Sequence, residues 1–88
     1  MDALCEVVCQ LRTKAAVRNF LKDLLNRQER LMLIRRLQVA ELLQSEKTYR
    51  EIQGALHVGP ATIARVERWL HFGRGGYLAA LTAARKRQ

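Results

Sequence analysis

Residues 48–70, TYREIQGALHVGPATIARVERWL, decide the fold. They read as two short amphipathic helices joined by a turn. Thr48, with Glu51 three residues on, has the pattern of a capping box, in which each side chain satisfies an unpaired N–H at the helix start. Ile52, Ala55 and Leu56 follow at the i, i+3, i+4 spacing of one helical face. His57-Val58-Gly59-Pro60 then interrupts the pattern. Gly59 lets the chain bend, and Pro60 suits the first turn of a new helix, where its missing N–H would have no partner anyway. Ile63, Val66 and Leu70 form the second stripe. Helices this short bury little alone. Paired, they have the helix-turn-helix geometry that sets a second helix into the DNA major groove. The alternative is an ordinary helical hairpin inside a small bundle. The residues opening the second helix favour the first reading: Ala61, Thr62, Ala64 and Arg65 are small or hydrogen-bonding. No carboxylate, which phosphate would repel, occurs there before Glu67.

The chain has 88 residues, enough for one domain with a modest core, so association is an expected source of stability. Its formal charge is +8, unevenly spread. Residues 1–47 hold nine basic and six acidic side chains, and residues 48–88 hold seven and two. The half with the helix-turn-helix pattern is thus the more basic, which favours a polyanionic partner. An anionic membrane is the competing polyanion, but no stretch approaches the ~20 apolar residues of a spanning helix. The opening MDALCEVVCQL carries acids before any base, unlike a signal peptide, and the expected compartment is the cytoplasm.

Few residues break helices, and the pattern is helical throughout. Leu4, Val7, Val8 and Leu11 predict a helix over 3–11. Thr13 is a suitable N-cap for a second segment with Ala16, Phe20, Leu21 and Leu24 in register. Asn26 with Glu29 forms another capping box, opening a long helix to about Ser45. In that helix Leu31, Met32, Leu33, Ile34, Leu37, Val39, Ala40, Leu42 and Leu43 reach nearly all round the axis. A helix apolar on every side is buried on several. One short chain has little to cover it with, which predicts an intimate homodimer; the alternative is a monomer whose other helices surround it. Phe72-Gly-Arg-Gly-Gly-Tyr77 ends the preceding helix in a turn, residues 77–84 predict a short helix, and Arg85-Lys86-Arg87 is a basic tail, read as a solvated frayed end with contact to phosphate as the alternative.

Cys5 and Cys9 lie one helical turn apart, a spacing poor for a disulfide. With only His57 and His71 beside them, a four-ligand zinc site has no ligand set within the chain. They are expected to be reduced, partly buried thiols; the alternative is an inter-subunit disulfide or redox sensor. No metal and no cofactor are expected.

At this point the chain resembles the Trp repressor superfamily, most closely its YerC/YecD branch. The resemblance is carried by VVCQLRT near the amino terminus, FLKDLL at 20–25, RRLQVAELL at 35–43, KTYREI at 47–52, GPATIARV at 59–66 and FGRGGY at 72–77, in that order and spacing. It implies an all-α fold: an intertwined helical homodimer with a helix-turn-helix head. Residues 1–88 then form a single Trp-repressor-like domain, with dimerisation helices at 1–45, the helix-turn-helix at 48–71, and the glycine-rich turn, short helix and basic tail at 72–88.

The resemblance further implies a transcription regulator that binds a palindromic operator in double-stranded DNA. The matching contact positions are Tyr49 and Arg50 on the first head helix, beside Thr48, and Pro60, Ala61, Thr62 and Ala64 on the second. Arg50 is the best candidate for a base contact, since a guanidinium pairs with both acceptors of guanine. Thr62 suits a phosphate or a thymine methyl, and Lys47 and Arg68 suit phosphate. The corepressor site transfers less well. Two arginines that flank bound tryptophan match Arg35 and Arg65, but a glycine that leaves room for the ligand is Val66 here, a small serine is Trp69, and a hydrogen-bonding threonine is Leu25. Free tryptophan is therefore not expected to bind. Arg65 is left to contact phosphate or to pair with an acid such as Glu41, and Trp69 is expected in the core. His57 stands where a glycine commonly begins the turn, and a histidine tolerates a left-handed backbone at some cost.

Two other functions remain open: a protein-interaction module gripped by the head, and non-specific or architectural nucleic-acid binding. An enzyme is not expected. No nucleophile sits beside a base, and GRGGY lacks the lysine and preceding strand of a phosphate-cradling loop.

Overall fold

The computed structural model describes residues 1–86. Among them are six helices and no strand: α1 Asp2–Gln10, α2 Lys14–Leu24, α3 Arg27–Gln44, α4 Tyr49–Leu56, α5 Pro60–Phe72 and α6 Gly76–Lys86. Arg87, part of the expected basic tail, lies outside the described residues. The other two members of that tail are helical rather than a loose end: Arg85 and Lys86 close α6, where positive charge complements the helix C-terminus.

Local chemistry sets most of the helix ends. The Thr13 hydroxyl accepts from the Ala16 N–H at 3.0 Å and starts α2. Asn26 and Glu29 exchange two bonds of 2.9 Å across the start of α3. Arg30 donates to the carbonyls of Leu25 and Lys22 and so satisfies the end of α2. The other end of α3 closes on Glu46, whose φ of 62° is left-handed. There the Glu46 N–H donates to the Leu43 carbonyl and the Lys47 N–H to that of Leu42, a Schellman ending that normally uses glycine.

The chain divides into two compact units, Met1–Met32 and the part from Leu33 onward. The first has α1, α2 and the start of α3. None of its residues is buried, and Leu4, Val7, Val8, Leu24, Leu31 and Met32 are exposed. Cys5 and Cys9 are exposed as well, not partly buried as expected, because nothing in α1 is covered. The second unit has a core of Val39, Ala40, Ile52, Ile63, Val66 and Leu81, with Leu42, Leu43, Tyr49, Leu56, Val58 and Tyr77 packed against it. Its elements are the end of α3, then α4, α5 and α6, with α5 packed on both α4 and α6.

The long helix α3 is therefore not uniform. Its last turns bury Val39 and Ala40, while Leu33, Ile34 and Leu37 remain exposed. Trp69, expected in the core, is 52% exposed. It lies on the flank of α5, off the stripe of Ile63, Val66 and Leu70 that the core uses.

Candidate nucleic-acid interface

Thr48 begins α4 with a complete capping box: its hydroxyl accepts from the Glu51 N–H at 3.1 Å, and the Glu51 carboxylate accepts from the Thr48 N–H at 3.0 Å. The second bond holds the Glu51 carboxyl below the usual carboxylate range, helped by the Thr48 hydroxyl and by Lys47 nearby. The cap fixes where α4 begins, and so where Tyr49 and Arg50 sit on its first turn. Arg50, Lys47 and Thr48 are exposed, and Tyr49 is half-buried.

At its far end α4 stops on His57, which is left-handed with φ 55° and ψ 41°. The Leu56 carbonyl there accepts a hydrogen bond from the Arg35 guanidinium. Arg35, one of the two arginines matched to a corepressor site, thus serves as a cationic cap on α4.

Helix α5 opens on Gly59-Pro60, and no side chain caps it. Its first-turn backbone donors consequently lack the side-chain acceptor that Ser, Thr, Asp or Asn would supply, and such an end favours phosphate. The signal was present in the sequence as Gly59 at the N-cap position, but the sequence reading used it only as a bend. Ile63, Val66 and Leu70 are buried. At 100° per residue, the opposite face carries Ala61, Ala64, Arg65, Arg68 and Phe72. All five are exposed, as is Pro60, and Thr62 is half-buried. The face is small at its N-terminal end and cationic in the middle, which lets a helix approach a groove closely and meet phosphate along it.

One acid lies on α5, Glu67, and it is engaged. The Tyr49 hydroxyl donates to a Glu67 carboxylate oxygen at 2.8 Å, tying the start of α4 to the middle of α5. That bond, together with burial and the negative charge, raises the Tyr49 phenol above its ordinary value. Glu51 and Glu67 are the two acids of residues 48–88, and both accept internal hydrogen bonds. The sequence reading missed the Tyr49–Glu67 pair, since 18 residues separate its members.

After Phe72 the helix must end. A side-chain carbon at Gly73 would lie 2.2 Å from the Trp69 carbonyl oxygen, and Gly75 has φ 78°. Both positions need glycine. Phe72 is left 82% exposed, with its ring edge-on to His71.

The described residues contain no cluster of three or more potential metal ligands, and no helix of them is long and apolar enough to cross a membrane.

Comparison with known proteins agrees with this architecture. The model of the family described as Trp repressor protein matches residues 1–85. The chain is similar to the uncharacterized protein YerC of Bacillus subtilis (strain 168), 33% identical over 81 residues, covering 92% of this chain and 78% of the relative. It is similar in structure to a provisionally assigned Trp repressor from Staphylococcus aureus, with a TM-score of 0.89 and 31% identity over 96% of this chain and 84% of the other. A family model spanning nearly the whole chain, a relative of this coverage and the shared helical fold together place the protein: it belongs to the Trp repressor family, among its YerC-like members.

Proposed function

We propose that this protein is a sequence-specific DNA-binding transcription regulator that acts as a homodimer in the cytoplasm, and not an enzyme. The observation that carries the reading is the outward face of α5, Ala61-Ala64-Arg65-Arg68, free of unengaged acid, with the start of α4, which carries the exposed Arg50, bonded to α5 through Tyr49 and Glu67. Arg50 reads a base edge. Lys47, Thr48, Thr62, Arg65, Arg68 and the uncapped start of α5 hold phosphate, and Pro60, Ala61 and Ala64 let the helix sit close.

The amino-terminal helices serve dimerisation. Their exposed apolar side chains, continued by Leu33, Ile34 and Leu37 on α3, are what a second copy would cover. Two heads in a symmetric dimer read a palindrome with half-sites about 34 Å apart. Tryptophan is not the effector, because Val66, where the ligand needs space, is 2% exposed and part of the core. Trp69 does not add to that block as expected, so the argument rests on Val66 alone. Calorimetry with free tryptophan should show no saturable heat.

The test is selection of the purified protein on a random duplex library at near-physiological salt. An enriched two-fold palindrome supports the reading. Retention of duplex without a motif replaces it with architectural binding, and no retention points to the head as a protein-interaction surface.

A further inference from the structure

The family resemblance implies that Tyr49 is a DNA-contacting position, yet in the folded chain its side chain faces inward. The ring packs against the core, and the hydroxyl donates its proton to Glu67 at 2.8 Å. A phenol committed in this way has no proton left for a phosphate or a base acceptor. Glu67, for its part, is the sole carboxylate side chain after Glu51. It lies one helical turn from Ala64 and next in sequence to Arg68, at the margin of the proposed contact face.

We infer that Tyr49 is a positioning residue for DNA recognition: its hydroxyl holds the Glu67 carboxylate away from phosphate. The inference rests on the DNA-binding reading above. It deepens that reading by giving one proposed contact a different role. Two consequences follow from the geometry. Without the hydroxyl, Glu67 has lost its donor and is free to turn toward the contact face, where its charge opposes that of Arg65 and Arg68. With glutamine at 67, the Tyr49 hydroxyl still has an amide oxygen to donate to, and no charge remains to be masked.

The experiment is a four-protein cycle: the unaltered chain, Tyr49→Phe, Glu67→Gln and the double variant. Each is titrated by fluorescence anisotropy onto the duplex recovered in the selection and onto a scrambled duplex, with thermal melts to check folding. Tyr49→Phe is expected to weaken the selected duplex about five- to tenfold. Glu67→Gln should bind as well as the unaltered chain or better, and the double variant should return to within about twofold of it. A loss caused by untying α4 from α5 would not be rescued by changing Glu67, because the double variant lacks that bond as well. A double variant as weak as Tyr49→Phe would mean that the loss does not pass through the Glu67 charge and would overturn the inference, as would a Tyr49→Phe variant that binds normally. If the unaltered chain retains no duplex, the DNA-binding reading fails first, and the inference with it.

Discussion

The amino-terminal unit and the head are built from similar material and finish in different states. Met1–Met32 has as clear an apolar stripe as any segment, in Leu4, Val7, Val8, Leu21 and Leu24, yet buries none of it. The head, from Leu33 onward, uses short helices with a Gly-Pro turn and buries Ile52, Ile63, Val66, Leu70 and Leu81 around the end of α3. The difference lies in what each segment has to pack against. α5 sits between α4 and α6, so its stripe closes within one chain. The apolar stripe of the first unit has no such closure. Apolar patterning therefore specifies that a face will be covered, without specifying by what.

If a second copy closes the amino-terminal unit, Leu31→Glu should have the largest effect of any single substitution. In a two-fold interface the charge enters twice, for a cost of roughly 4–8 kcal/mol to association. Sedimentation should then show a dimer become a monomer at micromolar concentration. An unaltered chain that is already monomeric there would break the comparison. Ile63→Ala cuts the head's core and should cost about 2–5 kcal/mol of unfolding free energy in denaturant titration. Its effect should not depend on protein concentration in the way that of Leu31→Glu does. Gly73→Ala forces the α5 ending apart against the Trp69 carbonyl and should lower stability by about 1–3 kcal/mol.

His57→Gly works in the other direction. Relieving a left-handed φ should stabilise the head by about 1 kcal/mol, with unchanged affinity for DNA. The smallest effect concerns pH. The Glu51 carboxyl is held low in the folded chain, so its contribution is present above the ordinary carboxylate range and is lost as pH falls through the folded value. Melting temperature should therefore fall less steeply with acid in Glu51→Ala than in the unaltered chain.

Features governed by neighbours in sequence were legible in advance. Thr13, the Asn26–Glu29 and Thr48–Glu51 boxes, and Pro60 at the start of α5 act within one turn, and each does in the structure what its spacing predicts. The left-handed His57 belongs with them. The misses share another cause. Trp69 and the two cysteines were assigned burial from residue type, whereas burial depends on which face the rest of the molecule covers. Arg35 on the Leu56 carbonyl and Tyr49 on Glu67 are set by how helices cross, which no local spacing encodes. The candidate contact residues were legible as a set of types; the structure adds that Ala61, Ala64, Arg65 and Arg68 share one face, and that the nearest acid is engaged.

The absence of any buried residue in Met1–Met32 also bears on how the chain is made. Translation delivers this unit first, and at about 5–20 residues per second the head follows within several seconds. During that interval the nascent segment displays apolar helices with no internal shelter, while the portion that holds the buried core is still being synthesised. If a second copy covers these helices, two chains growing side by side on one message would find each other sooner than two released into dilute solution. With a second copy as the cover, the placement of this surface would tie successful maturation to the local density of ribosomes making the same protein.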